Sequence, residues 1–379
     1  MNSSSRRTFL RMAGAGITAT ISGLIASEAF ATGWSDTTPD AKAAIHLDRN
    51  ENAYGPSSRV WAQLQKVLNS ANRYPVSQEL LTRQLAQLHK VSPDCVLLGC
   101  GSTEIIRAIA ARELRSGKSV ITASPTFEAM AEYAEAFEGK AIAVPLDHEL
   151  SHDLDAMHAR IDQDTAIIYI CNPNNPTASI TPRHTIDAFL ATVPKNVVVV
   201  VDEAYTHFAP RSPMTMSLLE QPAEKERMVV LRTFSRAYGL AGLRVGYAIT
   251  SPELASRYRP FLTKAGINEI GLQAAVAAIA DEEGLRQIVK RNADDRQEFF
   301  NQAMARMLKP IDSKTNFVMM DIHHPATEVI EHFGKNDILI GRAFPPMNTH
   351  IRISLGTPEE MHEFWRVWDL LPFSHGMKM

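Results

Sequence analysis

Five consecutive valines at 197–201 run directly into Asp202-Glu203-Ala204-Tyr205. β-branched side chains favour extended backbone. A run this apolar, with no polar alternation, describes a strand covered on both faces, as in a parallel sheet sandwiched by helices. The carboxylate that ends it is costly in a core unless a cation meets it. Two readings stay open on this motif alone: a carboxylate held for a buried cationic partner, or an ordinary strand end at the surface.

The surroundings fit such a sheet. From about residue 96 to 250, β-rich runs at 119–123, 166–171, 197–202, 228–232 and 245–250 alternate with helical stretches. This pattern predicts an α/β domain, a mainly parallel sheet layered with helices. Catalytic groups then belong at strand ends. After Pro252 the chain turns helical, with a long helix over 282–308, strand-like 316–321 and 350–354, and a last helix from Pro358. That predicts a smaller α+β lobe. There are no internal repeats and no metal-ligand spacing, so no metal is expected.

Composition bounds the partners. The 379 residues are 45% hydrophobic and 21% charged, with a formal charge of −3. That is globular, and it supplies no basic field for nucleic acid. No apolar run reaches the roughly 20 residues of a membrane-spanning helix, so no membrane span is expected in the mature form. Cys95, Cys100 and Cys171 read as buried apolar fillers.

At the N-terminus, Ser5-Arg6-Arg7-Thr8-Phe9-Leu10-Arg11 precedes a weakly apolar stretch over 12–25, and Ala29-Phe30-Ala31 offers a small-x-small cleavage site. This predicts a twin-arginine signal over 1–31, a partnership with the twin-arginine export machinery, and a periplasmic or secreted product. That pathway carries proteins that are already folded.

Three further motifs carry chemistry. Cys171-Asn172-Pro173-Asn174-Asn175-Pro176-Thr177 follows a strand, and its prolines fix a loop that aims amide side chains at little entropic cost. Gly99-Cys100-Gly101-Ser102-Thr103-Glu104 lies between a strand and a helix beginning near Ile105, where backbone N–H groups and hydroxyls can cradle a phosphate. Plain helix capping explains that motif equally well. Thr233-Phe234-Ser235 and, further on, Arg244 add two hydroxyls and a guanidinium suited to the same anion.

With these motifs in place, the chain from Leu47-Asp48-Arg49-Asn50-Glu51-Asn52 to Gly356 resembles the histidinol-phosphate aminotransferases, members of the fold-type-I pyridoxal 5′-phosphate (PLP) family. The resemblance implies that Asp202 pairs with the pyridine nitrogen and that Tyr205 and Asn175 hold the phenolic oxygen. It implies that Phe127 stacks on the ring, where relatives usually carry tyrosine, and that Ser102, Thr103, Thr233, Ser235 and Arg244 serve the phosphate. Tyr74, in Arg73-Tyr74-Pro75, resembles the tyrosine that reaches a neighbouring subunit's phosphate, which implies a homodimer. Arg352 matches the arginine that grips the substrate α-carboxylate, and Arg342 is the candidate for its distal group. The substrates implied are an α-amino acid and a 2-oxo acid. The organisation that follows is a signal peptide at 1–31, a small-domain and dimer-contact segment at 32–72, a large PLP-binding domain at 73–260, and connecting helices with the C-terminal small domain at 261–379.

One departure bears on activity. The family's Schiff-base lysine, which follows the phosphate-binding serine, corresponds here to Arg236, so the catalytic set becomes Arg236, Asp202 and Tyr205. No lysine occurs between Lys225 and Lys264 to take its place. A guanidinium stays protonated and lacks the free amine that attacks an aldehyde. Slow or absent transamination is the physical expectation. Three readings remain: an aminotransferase silenced at position 236 by a natural or introduced change, a protein that binds PLP or pyridoxamine phosphate without the covalent link, or a vestigial pocket. Retention of Asp202, Tyr205, Asn175, Arg244 and Arg352 argues against the third. Ala178, where the family carries glycine, is a second departure, which matters if that backbone needs positive φ.

Overall fold

The computed structural model describes residues 44–115, 117–220 and 226–373. Its centre is a seven-stranded sheet in the order β2-β8-β7-β6-β5-β3-β4, comprising β2 (Val96–Cys100), β3 (Ser119–Ser124), β4 (Lys140–Pro145), β5 (Thr165–Cys171), β6 (Val198–Asp202), β7 (Met228–Thr233) and β8 (Val245–Thr250). Strand β8 runs antiparallel to both neighbours and the remaining pairings are parallel. The mainly parallel α/β sheet expected from the sequence is therefore present.

Strand β6 shows why the valine run folds this way. Val198 and Val200 pack into one hydrophobic layer with Ile167 and Tyr169 of β5, whereas Val199 and Val201 pack into the opposite layer with Ile168 and Ile170. Two-residue periodicity on a doubly covered sheet leaves no solvent-facing position, so polar alternation is absent. Strand β4 escaped the sequence reading. It lies at the sheet edge, largely exposed, and its alternating alanines have low strand propensity.

Helices α3 (Ser102–Glu113), α4 (Ala129–Ala136) and α7 (Pro252–Tyr258) contribute to the first layer, and α5 (Leu154–His158) with α6 (Arg183–Thr192) to the second. Helices α1 (Ser58–Val67), α2 (Glu79–His89) and α8 (Glu269–Ile279) cover the β2 and β8 end of the sheet. A separate cluster gathers α9 (Glu282–Ala305), α10 (Ala326–Gly334) and α11 (Pro358–Trp368) around two small sheets. One pairs β1 (Ile45–Leu47) with β10 (Ile338–Ile340) in parallel, and the other pairs β9 (Phe317–Asp321) with β11 (His350–Ser354) antiparallel. Helix α11 starts in a capping box, Thr357 with Glu360, and has Pro358 in its first turn, which is the start expected there. Among the described residues, no helix is long and apolar enough to cross a membrane.

Two cysteines depart from expectation. Cys95 and Cys100 are half-buried at the ends of short elements, and only Cys171 is fully buried. The signal segment 1–31 lies outside the described residues.

Candidate active site

The C-terminal ends of β2, β5, β6 and β7 surround a cavity of about 340 Å³. Ten residues singled out in the sequence line it: Ser102, Thr103, Phe127, Asn175, Asp202, Tyr205, Thr233, Ser235, Arg236 and Arg244. Arg352 and Arg342 lie outside that lining. Tyr74 is 87% exposed and is also absent from it.

Asp202 ends β6 at 2% exposure. Its carboxylate accepts from the Tyr169 hydroxyl at 2.9 Å and from the Ala204 amide at 3.0 Å. Burial pushes its pKa up to about 6, against the pull of those donors and of the Arg236 charge. The next residue, Glu203, is held apart from the cavity lining in a buried pair with Arg232, whose Nε lies 2.9 Å from it, and accepts from Ser217 at 2.6 Å. Adjacent carboxylates thus have different surroundings, one already neutralised by an arginine and one open to the cavity.

The phosphate-cup residues converge. Helix α3 begins at Ser102, three residues earlier than expected, because Gly101 adopts φ +73° and turns the chain directly into the helix. Glu104 accepts from the Cys100 amide at 2.6 Å and the Thr263 amide at 2.9 Å. The capping role anticipated for this motif therefore falls to Glu104, while Ser102 and Thr103 line the cavity. A Cβ at Gly246 of β8 would sit 2.1 Å from the Ser102 nitrogen, so this glycine lets the helix N-terminus press against the sheet. Arg244 donates to Ser235 at 3.3 Å, and the Ser235 amide donates to the Thr233 hydroxyl at 3.0 Å. Two hydroxyls of one helical turn, a serine and an arginine make a site for a dianion.

Tyr205, on the same cavity, accepts from the Asn50 side chain at 3.1 Å and packs edge-on against Phe317. Arg352, 8% exposed, donates to the Asn175 oxygen at 2.7 Å and to the Asp48 carbonyl at 2.5 Å. Desolvation lowers its pKa to about 10, which still leaves it charged near neutrality. Arg342 is ion-paired with Glu128, the residue after Phe127, and lies over the Phe344 ring at 4.3 Å. The Arg352 guanidinium sits over the same ring at 4.8 Å. Arg236 donates to the Arg49 carbonyl at 2.6 Å and the Asn50 carbonyl at 2.7 Å, and its guanidinium lies 5.5 Å from the centre of the Tyr205 ring. Ala178 does occupy positive φ, at +62°, and is fully buried.

Arg49, Asn50 and Glu51 carry no role that is legible in their own motif. Arg49 and Glu51 line the cavity, and Asn50 is buried at φ +55° with its side chain on Tyr205. An asparagine between a short strand and a helix is a fair signal for left-handed backbone, but which pocket it serves depends on tertiary contacts.

The family model "Aminotransferase class I and II" matches residues 42–367. The histidinol-phosphate aminotransferase of Staphylococcus carnosus (strain TM300) is 36% identical over 83% of this chain and 87% of its own length. That of Bacillus subtilis (strain 168) is 36% identical over 84% and 89%. Among solved structures, the crystal structure of histidinol-phosphate aminotransferase from Sinorhizobium meliloti in complex with pyridoxal-5′-phosphate superposes with a TM-score of 0.81 at 28% identity, covering 88% of this chain and 91% of that one. A buried carboxylate and an anion cup at a helix start on one cavity, together with these matches, agree: the chain belongs to the class I and II aminotransferases and within them is similar to the histidinol-phosphate aminotransferases.

Proposed function

We propose that this cavity holds pyridoxal 5′-phosphate without a covalent link, and that the protein is of aminotransferase type, acting on an α-amino acid and 2-oxo acid pair. The observation that carries this reading is Asp202: a carboxylate 2% exposed, raised to about pH 6 by burial, opening onto the same cavity as the anion cup. A protonated pyridine nitrogen is the cation it lacks. The residues present fit the cofactor at each end.

When bound, the cofactor supplies a conjugated ring that draws electrons from a substrate α-carbon. Asp202 would keep the ring nitrogen protonated. Phe127 would stack on the ring, and Ser102, Thr103, Ser235 and Arg244 would hold the phosphate, with Thr233 positioning Ser235. Tyr205 and Asn175 would face the phenolic oxygen. Arg352 would take the substrate α-carboxylate, and Arg342, once released from Glu128, its distal group.

Arg236 sets the limit on turnover. Its protonated guanidinium can neither attack an aldehyde nor take a proton from carbon at neutral pH. General acid-base help is typically worth about 10² to 10⁴ in rate, so transamination is slow or absent. A second reading, a binding protein for PLP or pyridoxamine phosphate with no turnover, is favoured by the two carbonyl bonds that already engage Arg236. Substrate identity follows the relatives only in class. If segment 1–31 directs twin-arginine export, the product is periplasmic or secreted and stands apart from cytoplasmic histidine synthesis, so an aromatic or other modified amino acid is an equal candidate. Cell fractionation that found the protein only in the cytoplasm with 1–31 intact would contradict export. Exposed Tyr74 fits a homodimer in which it reaches the partner's phosphate.

Equilibrium dialysis of the purified protein with PLP and with unphosphorylated pyridoxal tests the pocket. The reading expects PLP to bind at least about a hundredfold more tightly, the contribution of several charge-assisted hydrogen bonds. Equal affinity would contradict the phosphate cup.

A further inference from the structure

Residues 48–52 form a strap along the cavity wall, with Arg49 and Glu51 in its lining. One side of the strap is tied to the C-terminal sheet. Arg352 donates to the Asp48 carbonyl at 2.5 Å, the Asn50 amide donates to the Ser354 hydroxyl at 2.8 Å, and Asn316 donates to the carbonyls of Asn50 and Glu51 at 3.0 and 3.1 Å. The other side meets the loop that carries Ser235. There Arg236 donates to two successive carbonyls, and Asn52 donates to the Ala237 carbonyl at 3.2 Å. Just beyond, a Cβ at Gly239 would fall 2.3 Å from the backbone of Gly55, so the two segments are in direct backbone contact.

The Asn50 carbonyl therefore accepts from both Arg236 and Asn316, which uses its two lone pairs. A charged donor makes stronger hydrogen bonds than a neutral one, and of the two bonds here the one to Asn50 is partly buried while the one to Arg49 is exposed. We infer that Arg236 is a positioning residue: it clasps the strap to the cofactor loop, so that a group which cannot anchor the cofactor covalently instead retains it by holding the cavity wall closed. The clasp is a property of the protein alone. Its consequence for cofactor release rests on the reading that PLP occupies the cavity.

The test is amide hydrogen exchange of the full-length, cofactor-free protein, comparing wild type with Arg236→Ala. The clasp predicts that exchange at residues 49–52 rises by about tenfold or more, while amides of β6 stay protected. Millimolar guanidinium, but not equal sodium chloride, should restore protection by refilling the vacated donor site. Where Arg236→Ala does not fold, Arg236→Met keeps the apolar stem and must show the same rise. In cofactor-loaded protein, release of PLP should quicken by a similar factor. Unchanged strap exchange, or a rise that guanidinium does not reverse in Arg236→Ala, overturns the clasp. Failure to take up PLP would sink the proposed function but leave the exchange result to decide the clasp by itself.

Discussion

Arg352 donates through Nη1 to the side-chain oxygen of Asn175 at 2.7 Å, joining β11 to the loop after β5 across 177 residues. Because arginine only donates, this contact fixes which way the amide faces: its oxygen points to Arg352 and its NH₂ group is left for the cavity. An acceptor such as a phenolate oxygen is what that NH₂ group suits.

Arg352→Gln is therefore expected to weaken binding of 2-oxo acids by about ten- to a hundredfold, the loss of a charge-assisted fork. PLP affinity should change only a few-fold, since Asn175 supplies one contact of several. Titration of each ligand checks this, and equal loss of both would contradict the role given to Arg352.

Asp202→Asn should have opposite effects on cofactor and on protein. Removing one partner of a buried pair costs about 3 kcal/mol or more, so PLP should bind on the order of a hundredfold more weakly. Without cofactor the sign reverses. Its folded pKa of about 6 stands above the unfolded value of 3.8, so the stability present at low pH is lost as pH rises through 6. That loss is at most about 3 kcal/mol. Urea unfolding of the cofactor-free variant at pH 8 should show a gain of up to that size, vanishing near pH 4.

His152 predicts the acid limb. It is buried, bonds through Nε2 to the Cys171 carbonyl at 2.9 Å, and desolvation lowers its pKa to about 4. Its folded pKa lies below the unfolded 6.5, so stability is full above 6.5 and falls as pH drops towards 4, by about 3 kcal/mol. His89 and His207 are likewise held low, at about 4 and about 3, mainly by burial. Three histidines outweigh the opposite contribution of Asp202, so the protein should lose stability on acidification. His152→Gln should flatten the Tm profile between pH 6 and 4, and an unchanged slope would contradict the assignment.

Tyr74 and Val76 are 87% and 90% exposed, and Trp61 and Leu80 are also open to solvent. Apolar surface of this kind is expected at a subunit interface. If the proposed homodimer forms through this surface, Val76→Glu should shift the species seen by sedimentation from dimer towards monomer at micromolar concentration. A wild-type monomer that retains cofactor would contradict a role for Tyr74 across a subunit boundary.

The valine run made β6 legible because both faces of that strand are buried, and the Asn-Pro loop and the Ser-Thr pair were legible because they sit at strand ends. Distant partnerships were not. Nothing local in Asn50 tells that its side chain meets Tyr205, 155 residues away, or that its carbonyl meets Arg236. The pairing of Arg342, marked as a substrate-binding candidate, with Glu128 was equally hidden, because the two lie far apart in the chain. Residue chemistry marked the candidates, and packing decided which of them share a cavity.

The most direct measurement is the visible absorption spectrum of the protein and of Arg236→Lys with added PLP, before and after borohydride. The account predicts that both bind PLP, that borohydride fixes cofactor covalently only to the lysine variant, and that only this variant transaminates amino acids at an appreciable rate. Cofactor fixed by borohydride to the Arg236 protein itself, or no PLP binding by either form, would contradict it.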